Sequence, residues 1–126
     1  MLNKTKILIL DDYPDLLYIL SLFLAEKFYE VCTVTSSGLF KEELIRFKPD
    51  LIILDIILKD AETGREICSS IKENEDTAHI PVILMSANHT VLKNYEECKA
   101  DAILEKPFNL SELIFQIETL IIPYIG

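Results

Sequence analysis

The sequence predicts an α/β domain, a single parallel sheet of five strands wound with helices on both faces. Three observations carry this. Short apolar runs end on polar or charged residues: Lys6–Leu10 runs into Asp11-Asp12, Leu51–Leu54 ends on Asp55, and Ile80–Met85 ends on Ser86. Strands without a polar face must be covered on both sides, as in parallel sheets. Between the runs, apolar residues recur at helical spacing. No repeat or linker interrupts the alternation, and a chain of 126 residues can bury roughly two-thirds of its unfolded surface in one domain, residues 1–126.

In chain order, the strand Lys6–Leu10 is followed by Asp11-Asp12, and Pro14 suits the first turn of a helix, where a missing N–H does no harm. Leu16, Leu17, Leu20, Phe23 and Leu24 carry that helix to about Lys27. Tyr29 to Val34 alternates weakly and holds β-branched residues, a second strand. Ser36 or Ser37 caps the next helix, with Leu39, Phe40, Leu44 and Ile45 as its buried stripe and Pro49 beyond its end.

The third strand, Leu51 to Asp55, leads into a loop through Glu62. Thr63-Gly64-Arg65-Glu66 then has the spacing of a capping box opening a helix to about Glu73. The fourth strand carries Pro81 near its start, where a lost donor is tolerated. A weakly patterned helix, about Val91 to Cys98, precedes a short strand at Ala102-Ile103-Leu104 that ends on Glu105-Lys106-Pro107. Asn109 and Glu112 form another capping pair. Leu110, Leu113, Ile114, Ile117, Leu120 and Ile121 make the last helix strongly amphipathic. Five strands and five helices joined by right-handed crossovers imply a flavodoxin-like (βα)5 doubly wound sheet, strand order 2-1-3-4-5.

Half of the residues are hydrophobic and only 3 are glycine, which excludes a disordered chain. A formal net charge of -9 disfavours binding to nucleic acid or an anionic membrane. No signal peptide or membrane-spanning run is apparent, so a cytoplasmic location is expected. Cys32, Cys68 and Cys98 are odd in number and widely spaced, and read as reduced, small apolar groups. His79 and His89 read as loop residues; Glu96-Glu97 and the stretch from Glu73 to Asp76 read as solvated acidic faces.

In strand order 2-1-3-4-5 the first and third strands are neighbours, so Asp11, Asp12 and Asp55 converge at the sheet's carboxyl edge. Two like charges about 4 Å apart repel by roughly 4 kcal/mol at an effective dielectric near 20, so three carboxylates call for a counter-charge. Oxygen ligands in a shallow cleft favour Mg²⁺, with Mn²⁺ a workable substitute. The fourth and fifth strands bring Ser86 and Lys106 to the same rim. A hydroxyl, an ammonium and a cation beside a carboxylate are the groups that neutralise a transferring phosphoryl group, with Asp55 as its nucleophile.

The chain resembles the receiver domains of two-component response regulators, single-domain chemotaxis-type regulators among them, over essentially its whole length. The pattern is an acidic pair after the first strand (Asp11-Asp12), a phosphoacceptor after the third (Asp55), a Ser or Thr after the fourth (Ser86), and Lys-Pro after the fifth (Lys106-Pro107). The resemblance implies that Asp12, Asp55 and the backbone carbonyl of Ile57 ligate Mg²⁺, with Asp11 acting mainly through water. It implies that Ser86 and Lys106 bind the phosphoryl group, with Ala87 leaving access to it. The donor would be a phosphohistidine on a sensor kinase or phosphotransfer protein. Output would pass to a downstream protein, or to a second copy in a homodimer, through the face of the fourth helix, fifth strand and final helix; Phe115, Ile122 and Tyr124, partly off the stripe of the last helix, read either as ordinary exposed apolar residues or as part of such a surface.

Three features depart from the pattern. Ile103 stands where the family often has Tyr or Phe, Lys59 replaces a loop Pro, and Gly64 arrives one residue late. Ile57 and Asn88 occupy positions that tune phosphoryl lifetime in the family. The rival readings are a pseudo-receiver that binds a partner without phosphorylation, and a small magnesium phosphatase of the haloacid dehalogenase type. The latter needs an Asp-x-Asp motif that Asp11-Asp12-Tyr13 does not supply. Beyond self-phosphorylation and its reversal, no enzyme activity is expected.

Overall fold

The computed structural model describes residues 4–59, 62–88 and 95–121. Its elements follow in order: β1 (Lys6–Leu10), α1 (Pro14–Glu26), β2 (Glu30–Val34), α2 (Ser37–Arg46), β3 (Leu51–Asp55), α3 (Gly64–Glu73), β4 (Val82–Ser86), a 3₁₀ turn (Tyr95–Cys98), β5 (Ala102–Glu105) and α4 (Leu110–Ile121). The five strands form one parallel sheet in the order β2-β1-β3-β4-β5, the topology the sequence predicts.

Strand alternation explains the two cores. Ile7, Ile9, Leu51, Ile53, Ile83 and Met85 face α1 and α4, where Leu17, Leu20, Leu24, Leu113 and Ile117 complete one cluster. Leu8, Leu10, Ile52, Leu54, Val82 and Leu84 face the other way, against Phe40 of α2, Ile67, Cys68 and Ile71 of α3, and Cys98. β3 and β4 are buried at every position, which is why their sequences carry no polar face.

Local chemistry sets the helix starts. Thr63 Oγ1 accepts from Glu66 N–H while Glu66 Oε1 accepts from Thr63 N–H, each at 3.2 Å, completing the capping box. Ser36 accepts from Leu39 N–H at 3.2 Å, and Asn109 Oδ1 from Glu112 N–H at 2.8 Å.

The stripe expected for α2 is corrected. Phe40 is buried and Leu44 half-buried, but Leu39 and Ile45 are exposed. The inward line runs Phe40, Leu44, Phe47, and Leu39 and Ile45 fall about 100° to either side of it on a helix of 3.6 residues per turn. α1 ends in a Schellman motif without glycine: Tyr29 N–H reaches Leu24 C=O and Phe28 N–H reaches Ala25 C=O, with Phe28 at φ 67°. Of the helix expected at about Val91 to Cys98, the described end is a single 3₁₀ turn; residues 91–94, His89, Ile122 and Tyr124 lie outside the described residues. His79, Glu96 and Glu97 are exposed, as is the run from Glu73 to Asp76.

All three cysteines are free. Cys68 and Cys98 are buried, and burial pushes the Cys68 thiol up. Cys32 is half-buried; burial, then the Glu43 carboxylate, pushes it up to about 11. The outer face of α1 exposes Tyr18, Ile19 and Leu22, and α4 exposes Phe115.

Candidate functional site

Strand ends assemble the site. β1 delivers Asp11 and Asp12, its neighbour β3 ends on Asp55, β4 on Ser86, and β5 runs into Lys106. The register pairs Leu10 with Leu54, Asp55 with Met85, and Ser86 with Glu105. Lys106 N–H donates to Ser86 C=O at 2.9 Å, tying the last two strand ends together.

Carboxylate oxygens of Asp11, Asp12 and Asp55 lie within 4.8 Å of one another. Lys106 Nζ lies 2.7 Å from Asp11 Oδ2 and 3.1 Å from Asp55 Oδ2. Asp11 is fully buried and Asp55 is 7% exposed, so both depend on this ammonium and on backbone donors for solvation. Tyr13 N–H donates to Asp11 Oδ1 at 2.9 Å and Ile57 N–H to Asp55 Oδ1 at 3.1 Å. Lys59 N–H donates to Asp12 Oδ2 at 2.9 Å.

The electrostatics follow from this packing. Burial raises the Asp55 pKa above its ordinary 3.8; the Lys106 charge opposes that rise and the Asp11 charge adds to it. For Lys106, burial favours the neutral amine, but the bonds and charges of Asp11 and Asp55 outweigh burial and raise its pKa above 10.5. Three carboxylates against one ammonium leave two negative charges in excess, an all-oxygen donor set matched to a hard divalent cation.

Ser86 is buried and its Oγ accepts from Asn88 N–H at 3.1 Å. Ala87 and Pro107 are exposed beside it. The Ile57 side chain is exposed, and Ile103 is half-buried against the cluster that holds Cys98 and Ala100. Thus Asp11, Asp12, Asp55 and Lys106 are brought together and Ser86 stands one residue beyond the position facing Asp55. Sequence reasoning did not find that Lys106 is already engaged by Asp11, nor the Lys59 amide on Asp12. Charge balance could have suggested the first; the second is a main-chain group and leaves no mark on residue identity.

A flavodoxin-like sheet with an acidic, lysine-bridged carboxyl edge defines the class of protein: an α/β domain of the receiver type. The chain belongs to the response regulator receiver domain family, whose profile matches residues 7–118. It is 31% identical over 121 residues to histidine kinase P4 of Formosa agariphila, covering 94% of this chain and 9% of that protein. It is 30% identical to the transcriptional regulatory protein GltR of Pseudomonas aeruginosa, covering 94% of this chain and 50% of the relative. The chain therefore spans half or less of the length of these two relatives. Among solved structures it is similar to response regulator TrrA of Thermotoga maritima in complex with Mg²⁺-BeF, with a TM-score of 0.81 and 26% identity over 92% of this chain and 98% of that one. No described helix is long and apolar enough to cross a membrane.

Proposed function

We propose that this chain is a phosphoacceptor receiver in two-component signal transduction: Asp55 takes a phosphoryl group from a phosphohistidine on a sensor kinase or phosphotransfer protein, and the modification shifts the domain between two states. The observation that carries this reading is the cluster of three carboxylates within 4.8 Å, bridged by Lys106. In the transfer an Asp55 oxygen bonds to phosphorus as the P–N bond of the donor breaks, and the departing imidazole keeps the electron pair and holds a proton.

Asp12, Asp55 and the Ile57 carbonyl would hold Mg²⁺ directly, Mn²⁺ in its place, and Asp11 through water. Bound there, the cation supplies positive charge against the phosphoryl oxygens. That the TrrA relative was solved in complex with Mg²⁺-BeF supports a magnesium-binding site in this chain. Lys106 would exchange a carboxylate partner for a phosphoryl oxygen. Ser86, whose Oγ lone pair is used by Asn88 N–H, keeps its own proton to donate. Ala87 leaves the approach open, Pro107 follows Lys106 at the rim, and Ile103 stands where the family often has an aromatic switch residue. One sheet with two continuous cores supports reading residues 1–126 as a single receiver domain. Output would pass through the face of β5 and α4; exposed Phe115 lies on the other side of α4, beside Phe23 and Lys27 of α1.

The test is intact mass after incubation with Mg²⁺ and acetyl phosphate, beside Asp55→Asn and a metal-free control. One Mg²⁺-dependent phosphoryl adduct, lost in Asp55→Asn, is the expected result. Neither an adduct nor released phosphate, although Mg²⁺ binds, would overturn it in favour of a pseudo-receiver that docks without modification.

A further inference from the structure

The described residues of the loop that follows Asp55 touch the acidic cluster twice, each time through the main chain. Ile57 N–H donates to Asp55 Oδ1 at 3.1 Å, and two residues on, Lys59 N–H donates to Asp12 Oδ2 at 2.9 Å across 47 residues of sequence. Asp11 and Asp55 are each held by two donors, a backbone N–H and Lys106. Asp12 is half-buried, and among the described residues the Lys59 amide ties it to the loop that follows β3. A backbone donor to a carboxylate is a charge-assisted bond, stronger than a neutral one. It engages Oδ2 and leaves Oδ1 for a cation. The Lys59 side chain is exposed and has no part in this bond.

We propose that the backbone N–H of Lys59 is a positioning group for the cation site: it fixes Asp12 and, with the Ile57 N–H on Asp55, sets the direction of the Ile57 carbonyl held between the two anchors. The inference rests on the cation site of the proposed function and adds to it a ligand-orienting contact. Any residue but proline supplies the donor, so the contact is specified by loop geometry rather than by side-chain chemistry.

Calorimetric titration of Mg²⁺ into the metal-free chain tests it, since the protein has no tryptophan to report binding. Lys59→Ala keeps the amide and is expected to bind within about twofold of wild type, while Lys59→Pro, which removes it, is expected to bind roughly tenfold more weakly. Equal affinities for the two variants overturn the inference. Absence of binding to the wild-type chain overturns the cation site itself, and the inference with it. Because proline could disturb the loop, Asp12→Ala in an otherwise wild-type chain gives an independent reading by amide hydrogen exchange. Roughly tenfold faster exchange at residue 59 is expected when its acceptor is removed, and unchanged exchange overturns the proposal.

Discussion

Gly64 offers the sharpest test of how the fold holds the site. A Cβ at this position would lie 2.2 Å from Asp55 O, 2.7 Å from Ile56 Cα and 2.9 Å from Asp55 C, where relaxed contacts sit near 3.5 Å. The atoms it strikes are backbone and cannot swing away. Ile56 N–H is bonded to Met85 C=O and Ile56 C=O to Gly64 N–H, both at 2.9 Å. Relief therefore demands a shift of about 1 Å in either the end of β3 or the start of α3. Overpacking costs about 1–3 kcal/mol, and rigid backbone places Gly64→Ala at the upper end, about 3 kcal/mol. That is a large share of the roughly 5–15 kcal/mol that stabilises such a domain. Urea unfolding followed by far-UV circular dichroism should show the midpoint falling by about 1.5–2 M at an ordinary slope. The same shift would move Asp55, so phosphorylation should slow by up to about a hundredfold. Gly38→Ala is the matched control: no heavy atom lies within 4 Å of its added Cβ, and in a helix the change should be neutral or stabilise by about 0.5 kcal/mol. A loss below about 1 kcal/mol for Gly64→Ala, or an equal loss for Gly38→Ala, would refute the close-approach argument.

Asp55→Asn should raise the metal-free urea midpoint at pH 7. Burial raises the folded pKa of Asp55 above 3.8, so ionisation costs the folded state stability as pH climbs past the unfolded value, and the variant's advantage should vanish below about pH 4. Lys106→Met leaves Asp11 buried without its ammonium and should cost about 3 kcal/mol in metal-free buffer, partly restored by Mg²⁺. Because the folded Lys106 pKa lies above 10.5, that deficit should persist through neutral pH and fade as pH rises past the folded value; a deficit already absent at pH 9 would count against the pairing. Phe28→Gly should raise the melting temperature, because an exposed aromatic at φ 67° carries about 1 kcal/mol of left-handed strain that glycine avoids.

The strands were legible because parallel-sheet burial leaves an unmistakable record, four aliphatic residues in a row at Leu51–Leu54 with both neighbours fixed by register. The capping box at Thr63 and the capping pair at Asn109 were legible because they are local. What failed on α2 is instructive. Leu39 and Ile45 are apolar and near the right spacing, but a ten-residue helix gives the period too few turns to separate the stripe from its flanks. Phe28 escaped notice because left-handed caps are sought at glycine. At the site, Asp11, Asp12, Asp55, Ser86 and Lys106 were readable as strand-end residues. Their resting partners were not: the Tyr13, Ile57 and Lys59 amides belong to the main chain, which every non-proline residue shares.

The site's geometry and the domain's stability share one set of atoms. Asp11, Asp55, Ser86 and Lys106 stand at the ends of four adjacent strands whose side chains are the core, so none can be repositioned without disturbing the ladder beneath it. Among the described residues three carboxyl groups share one ammonium at that edge, and burial makes Asp55 reluctant to ionise. A phosphoryl group there would replace one charge by roughly two. Lys106 contacts Asp11 and Asp55 together, so a new anion on Asp55 would draw it away from Asp11. Through Lys106 N–H on Ser86 C=O the same demand would reach both β4 and β5. Ile103, with a β-branched side chain stiff about χ1, offers no ring to swing on this path. The coupling in this chain would then run through Lys106 and the paired strand ends, so the ammonium and its two carboxylates would serve both stability and switching.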